Sequence, residues 1–491
     1  MPIDAAKSFT KLFNSTPSQA GDVVRVFGGY GGNYHCYSDD PSLLTNAEVF
    51  PIVIPAGVVV KRGDGTPVFV APGAGSTYVG PVFRFEGSGG ATLTSKLEGI
   101  HLLGADTGVV IANTAGGGLH FEATDCVFAR NRTGLFAGAS DGQSLDLLIE
   151  GCSITDFADG SVTLIPPPRL LQHEIGVAFE AVGNGGAAPP IIEADLNGLT
   201  TSGSFESAVM HPISPRGSQP FGMNDYPNPG DGGQFTRILQ VYVQGDEDLR
   251  EYPNPASSSS TVPTPEIYVR VNGGAWDGQA MLESDRGWDV GVYAVADQAM
   301  SSFGTNNYLS RFRVDLTGTI IEEMKLVGAY VECNEDTRGL IALGDQTTIR
   351  RTGQQVATSP DGFRHSGVYG LARRGFLRIL GNRAVIQDNV GCGIYTLALE
   401  SGRGPLPFGG LLGLDHCGIH DNKEHGIHLL AAKNTTTLSR GITGAVVGGT
   451  WDLALSPNAF SFVPDSAKPS DPNRYDSIIG SLRAELAKAR G

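Results

Sequence analysis

The amino-acid sequence predicts an all-β protein: a right-handed parallel β-helix (solenoid) with a short N-terminal cap, a central β insertion and a C-terminal helix. Composition is the first ground. Of 491 residues 68 are Gly and 29 are Pro, close to a fifth of the chain where about 12% is usual. Glycine weakens helices and proline breaks them, whereas turns consume both, so short strands joined by tight turns are expected. No strict Gly-X-Y period runs through the chain, which excludes collagen. The second ground is that 40% of residues are apolar and 18% charged, ample material for a core. The third is a repeat.

The two clearest copies are Ala384-Val385-Ile386-Gln387-Asp388-Asn389-Val390-Gly391-Cys392-Gly393-Ile394-Tyr395 and Cys417-Gly418-Ile419-His420-Asp421-Asn422-Lys423-Glu424-His425-Gly426-Ile427-His428, offset by 33 residues. Each reads as strand, Asp-Asn turn, Gly, strand. The Gly-apolar start of the second strand recurs at Gly108, Gly134, Gly339, Gly367, Gly393 and Gly426. A coil of three short strands per turn accounts for this, because one coil cannot bury its apolar face alone and stacking makes the core. Residues one repeat apart then lie over one another, about 4.8 Å apart. Val368, Ile394 and Ile427 form an inward ladder, and Asn389 over Asn422 a turn ladder.

The elements follow in order. Residues 1–75 supply the cap and first coils, and 76–203 further coils. Residues 204–294 break the pattern with Tyr226-Pro227-Asn228-Pro229, Tyr252-Pro253-Asn254-Pro255 and the run Val271-Asn272-Gly273-Gly274, a hairpin signature; a laterally packed β subdomain is expected there. Coils resume over 295–463, and 464–491 reads as a linker and a helix with Ile478, Ile479, Leu482, Leu486 and Ala489 at helical spacing. That helix could cover the open end of the coil or pair with a second copy.

The strand-Asx-Asn-Gly-strand copies resemble the coils of the pectin-lyase-like superfamily. Ser8-Phe9-Thr10, Gly21-Asp22-Val23-Val24-Arg25-Val26 and Phe50-Pro51-Ile52-Val53-Ile54-Pro55-Ala56-Gly57-Val58 are similar to the opening of a conserved domain of unknown function in that superfamily. The resemblance implies a short capping helix and a Gly-Asp turn into the first strand. It leaves lyases, epimerases, hydrolases and non-catalytic proteins open.

With 35 Lys and Arg against 51 Asp and Glu, the net charge is −16, which disfavours nucleic acid. No apolar run of about 18 residues is present to span a membrane. No signal peptide is evident between Met1 and Ser15, so the default compartment is cytoplasmic, or extracellular if a signal was removed. Six scattered cysteines, Cys36, Cys126, Cys152, Cys333, Cys392 and Cys417, lack zinc spacing and read as buried thiols.

Ionisable groups are densest from Asp415 to His428. If Ile419 and Ile427 point inward, His420 and His428 point outward, His420 over Gln387 and His428 over Tyr395 and Tyr369. Proton abstraction beside a uronate carboxylate needs a base near neutral pH and a cation or donor on the carboxylate. His428, His420 and Tyr395 are the catalytic candidates; Tyr369, Gln387 and Arg378 the substrate-binding ones. Asp415, Asp421 and Glu424 are candidate ligands for Ca2+, though no cofactor is required. Leu414-Asp415-His416-Cys417 is similar to a strand segment of pectate lyases. Beside these stands the structural alternative: Asp421-Asn422 occupies the place of Asp388-Asn389 and is first a turn device. Arg373, Arg374, Arg378 and Arg383 could grip an anionic substrate or face solvent at turns, and Trp276, Trp288 and Trp451 could stack on sugars or fill the core.

The expected function is action on an acidic, uronic-acid-containing polysaccharide by lyase or epimerase chemistry. A non-catalytic structural or carbohydrate-binding β-helix is the alternative, and an intracellular small-molecule isomerase or cyclase a further one.

Overall fold

A computed structural model describes residues 8–15, 18–28, 33–87, 93–112, 117–155, 163–169, 171, 173–183, 188–202, 236–245, 264–278, 287–298, 310–334, 337–353, 365–373, 375–399, 411–431, 438–439 and 446–455. The chain forms two compact units, Met1–Glu180 with Pro190–Gln240 and Ala181–Pro189 with Val241–Gly491. Each contains three parallel sheets, and each coil gives one strand to each sheet in turn.

In the first unit the first sheet stacks Val23–Val26, Val59–Arg62, Leu93–Glu98, Gly117–Thr124, Gln143–Glu150 and Ile191–Asn197. The second stacks Asn33–Tyr37, Val68–Val70, Ile100–Leu103, Val127–Ala129, Ser153–Thr155 and Thr200–Ser202. The third stacks Ile52–Ile54, Pro81–Glu86, Thr107–Ala112, Thr133–Ser140 and Ile175–Val182. Alternation decides what each strand buries: Leu97, Ala123, Ile149 and Leu196 lie over one another with no exposure, while Lys96 and Glu122 on the same strands face out as an ion pair. A helix, Phe9–Ser15, sets the Phe9 ring against Tyr37 and Phe83 at 5.1 and 5.3 Å. Buried Glu48 receives the backbone N–H groups of Phe9 and Thr10 and the hydroxyls of Ser8 and Thr10, so the orphan donors of that helix start are satisfied.

In the second unit the first sheet is Glu266–Asn272, Arg311–Thr317, Arg338–Leu343, Phe376–Asn382, Leu411–Asp415 and Leu438–Ser439. Ala275–Asp277, Ile320–Glu322, Thr348–Arg350 and Val385–Gln387 lead the second sheet into Gly418–Ala431. The third runs Val290–Gln298, Val327–Asn334, Val368–Arg373 and Ile394–Leu399 to the later part of Gly418–Ala431 and then Val446–Leu455. Val368, Ile394 and Ile427 pair in register and are fully buried, the inward ladder that the repeat implies.

Within the 204–294 span, the described strands are coil strands. Val271-Asn272-Gly273-Gly274 does not close a hairpin: the strands on either side pair with Arg311–Thr317 and Ile320–Glu322 in two different sheets. Gly273 takes φ +69° and Gly274 +93°, so the glycines turn a corner within one coil. The 464–491 segment and Trp451's side chain lie outside the described residues. Trp276 and Trp288 are core residues, 0% and 1% exposed. All six cysteines are buried, and none forms a disulfide.

Corners are set by residues in the left-handed region. Between second and third strands these are Arg130 in the first unit and Glu323, Arg351, Asp388 and Asp421 in the second, with φ of 53°, 57°, 54°, 56° and 56°. The residue after four of them turns a polar side chain inward. Asn131 Oδ1 accepts from Ala105 N at 2.9 Å and its Nδ2 donates to Leu102 O at 2.8 Å. In the second unit Thr352 Oγ1 donates to Asn389 Oδ1, and Asn389 Nδ2 donates to Asn422 Oδ1, both at 2.8 Å. Asn422 Nδ2 then donates to Ile386 O and His420 O. Asn389 and Asn422 are 0% and 2% exposed, so each amide satisfies backbone groups that water cannot reach.

Replacing Asn389 with Ala leaves Thr352 N buried without its partner and takes from Asn422 Oδ1 one of its two donors, the other being the backbone N–H of residue 389. We expect a loss of about 2–3 kcal/mol in urea unfolding; a loss below about 0.5 kcal/mol would contradict a structural ladder.

Candidate functional site

In the second sheet of the second unit, Glu322, Arg350, Gln387 and His420 follow one another in register. Arg350 and Arg351 both reach Glu322, at 2.8 and 2.5 Å, and Arg351 Nε reaches Glu323 at 3.0 Å. Those two cations are thus answered by two carboxylates. One coil further comes Gln387, and beyond it His420, whose Nδ1 sits 2.8 Å from Asp421 Oδ2. Asp421 holds that contact from its left-handed corner position, which leaves His420 Nε2 as the nitrogen for an external partner.

Asp415 and Asp421 stand at different corners of the coil. Asp415 ends a first-sheet strand and lies 2.6 Å from His416 Nδ1, while His416 takes φ 51° at the corner into the second sheet. Among the described residues no group of three His, Cys, Asp or Glu is arranged to hold a metal ion. The side chains of Glu424, His425 and His428 lie outside the described residues.

The third sheet brings Tyr369 and Tyr395 into register with each other and with His428, as the alternation implies. Two more tyrosines precede them. Tyr293, Tyr330, Tyr369 and Tyr395 form a face-to-face column with centroid separations of 5.1, 5.4 and 5.2 Å. Tyr330 donates to Glu332 at 2.5 Å, and burial, then the Glu332 charge, push its hydroxyl well above the usual phenol range. Tyr369 and Tyr395 are only 6% and 4% exposed. Tyr369 meets Tyr330 on one face and Tyr395 on the other, so its faces pack within the column rather than lying open to a sugar.

Arg378 belongs to another face. In the first sheet of the second unit, outward positions align as Glu266, Arg311 and Arg338 in one row, Tyr268, Arg313, Leu340 and Arg378 in the next, and Arg270 and Asp315 in a third. Five arginines therefore share this face with two carboxylates. Arg311 pairs with Glu266, and Arg313 Nε lies 2.8 Å from Asp315 Oδ1. Tyr268 donates to Asp315 at 2.8 Å and carries Arg270 and Arg313 over its ring at 5.1 and 5.0 Å. Burial, then the neighbouring Arg338, push the Arg311 guanidinium down, as expected where like charges are stacked. Arg378 lies over Phe376 at 5.3 Å. Sequence reasoning reached Arg378 alone. The signal for the others was the period of two in Glu266-Ile267-Tyr268-Val269-Arg270 and Arg311-Phe312-Arg313-Val314-Asp315, which turns every charge to one side. Arg383, at a corner with φ 55°, approaches Asp345 at 3.6 Å; the side chains of Arg373 and Arg374 lie outside the described residues.

No helix among the described residues is long and apolar enough to cross a membrane. No protein-family model, no curated protein and no solved structure matches the chain. The architecture defines a parallel β-helix.

If Asp421 is first a corner residue, Asp421→Asn should hold stability within about 0.5 kcal/mol, because Asn tolerates left-handed backbone. Asp421→Val should cost about 1–2 kcal/mol in the same denaturant titration. Equal stability of the two variants would show that the corner does not constrain this position.

Proposed function

We propose that this chain is a parallel β-helix that binds an acidic, uronic-acid-containing polysaccharide along the first-sheet face of its second unit. The observation that carries the reading is the arginine array of Arg270, Arg311, Arg313, Arg338 and Arg378 around Tyr268, in a chain whose net charge is −16. Guanidinium groups recognise carboxylates with paired N–H donors, and a tyrosine ring adds an apolar edge for the sugar body. Strands repeat about every 4.8 Å, so the face offers cations at regular intervals, as suits a ligand that is itself a repeat. The resemblance of the coil and of the N-terminal segment to the pectin-lyase-like superfamily agrees with a glycan partner.

Lyase or epimerase chemistry is the second reading, favoured by the His420–Asp421 contact at 2.8 Å, which fixes one ring nitrogen and leaves the other as a base.

Binding of polygalacturonate, against neutral dextran, tests the first reading. Wild-type affinity should fall steeply with added salt. Replacing Arg311, Arg338 and Arg378 together by Gln should weaken it roughly a thousandfold at low salt, since each charge-assisted contact contributes about 1.5 kcal/mol. Binding indifferent to both changes refutes the arginine face. Absorbance of unsaturated products from a panel of polyuronates, with and without Ca2+, tests the lyase, and product NMR the epimerase. Activity lost in His420→Ala supports the base, whereas bound polymer left unchanged points to a non-catalytic module.

A further inference from the structure

The outer face of the third sheet in the first unit carries a carboxylate that receives no hydrogen bond from the described residues. Phe85, Ile111 and Ala137 stack in register and point inward, Phe85 meeting Phe121 of the first sheet at 4.8 Å. Their neighbours Ala112 and Gly138 therefore face out, as do Val110 and Phe136. Ile175 N donates to Arg132 O at 3.0 Å, the counterpart of Thr133 N to Asp106 O one coil earlier. That bond sets Ala178 beside Phe136 and Glu180 beside Gly138. In the same way Arg237 N donates to Glu174 O at 2.8 Å, which sets Gln240 beside Ala178.

The result is a buried apolar row with three side-chain oxygens at one end. Val110, Ala112, Phe136 and Ala178 belong to one buried cluster, and Gly138 adds no side chain. Glu180 is 1% exposed and Gln240 7%. Both Glu180 oxygens and Gln240 Oε1 are buried without a hydrogen-bond donor. Burial alone pushes Glu180 up to about 7. The titratable and charged groups on strands packed around it are Arg84 and Glu86, which pair with each other at 2.8 Å, Arg237, which starts its strand opposite Ile175, and Tyr242, two residues beyond Gln240, whose hydroxyl donates to Gln244 at 3.3 Å. Strands Thr107–Ala112 and Thr133–Ser140 carry no charged side chain.

Three buried acceptors without a donor among the described residues are costly and need an explanation. They call for a ligand that brings three donors, a positive charge and a hydrocarbon body. A protonated primary amine has three N–H donors. A metal ion fits less well, since among the described residues no cluster of three ligating side chains exists. We propose that Glu180 and Gln240 form a binding site for a primary ammonium group whose apolar body lies along Val110, Ala112 and Phe136.

Calorimetric titration of the full chain with n-hexylammonium tests this, with n-hexanol and tetramethylammonium as controls for charge and for N–H donors. Hexylammonium should bind and both controls should bind at least about tenfold more weakly. Affinity should fall about tenfold from about pH 8 to about pH 6, because Glu180 must shed a proton to take the cation. Glu180→Gln should abolish both the affinity and its pH dependence, and Gln240→Met should weaken binding several-fold.

A folding control follows from linkage. A carboxyl whose folded value is raised favours the fold below about 4.5 and loses that advantage as pH rises through about 7, on the order of a hundredfold in the unfolding constant. Glu180→Gln should therefore melt no lower than wild type at about pH 8. No heat with hexylammonium, or equal binding by Glu180→Gln, overturns the site; if that variant does not fold, unchanged binding by Gln240→Met does so instead.

Discussion

Parallel pairing between successive coils is the constraint on which the rest of each unit depends. It places every side chain directly over its counterpart one coil away, so each column must be a set of residues that tolerate one another at roughly 4.8 Å. The columns show the few solutions available. Aliphatic side chains stack inward, as at Val368, Ile394 and Ile427. Tyrosines stack face to face from Tyr293 to Tyr395. Carboxamides chain donor to acceptor from Asn389 to Asn422. Opposite charges alternate from Glu322 to Arg350. Glu180 beside Gly138 is a column that finds no such solution among the described residues.

This gives a physical criterion for separating scaffold from site. Asp421 and Asp388 look alike in sequence and share a left-handed φ of 56°, so the corner accounts for both. The tyrosine column is likewise explained by its own stacking. On the arginine face five guanidinium groups meet two carboxylates, so ion pairing balances only part of its charge. Nor does stacking account for the buried carboxylate of Glu180.

Much of the fold was legible because the repeat writes one coil several times. A Gly-apolar start and an Asp-Asn corner, read at Asp388 and Asp421, carried the coil, its inward ladder and its amide ladder. Asn131 was the same device in the first unit, but Arg130 before it hid the Asx-Asn signature; left-handed backbone, not the aspartate, is what the corner needs. Asn272-Gly273 misled in the opposite direction, since a pair that serves a hairpin equally serves a corner when both flanking strands find partners in other coils. The candidate site was harder to read. Arginines 27 or more residues apart, such as Arg311 and Arg338, become neighbours only once the register is known. Burial, which singles out Glu180, has no local signature at all.

The corners of a coil are unequal. From Leu93–Glu98 to Ile100–Leu103 a single glycine intervenes, and from Phe376–Asn382 to Val385–Gln387 two residues do. Between Ala275–Asp277 and Val290–Gln298, or Thr348–Arg350 and Val368–Arg373, more than ten residues are let out without disturbing the pairing on either side. Connections are thus long at some edges and at most six residues at another, so loops can be swapped, grown or lost by small genetic steps while the frame stays constant. Such a chain can diversify what it meets faster than it can change how it folds, and sequence likeness to other coils would fade long before the architecture does.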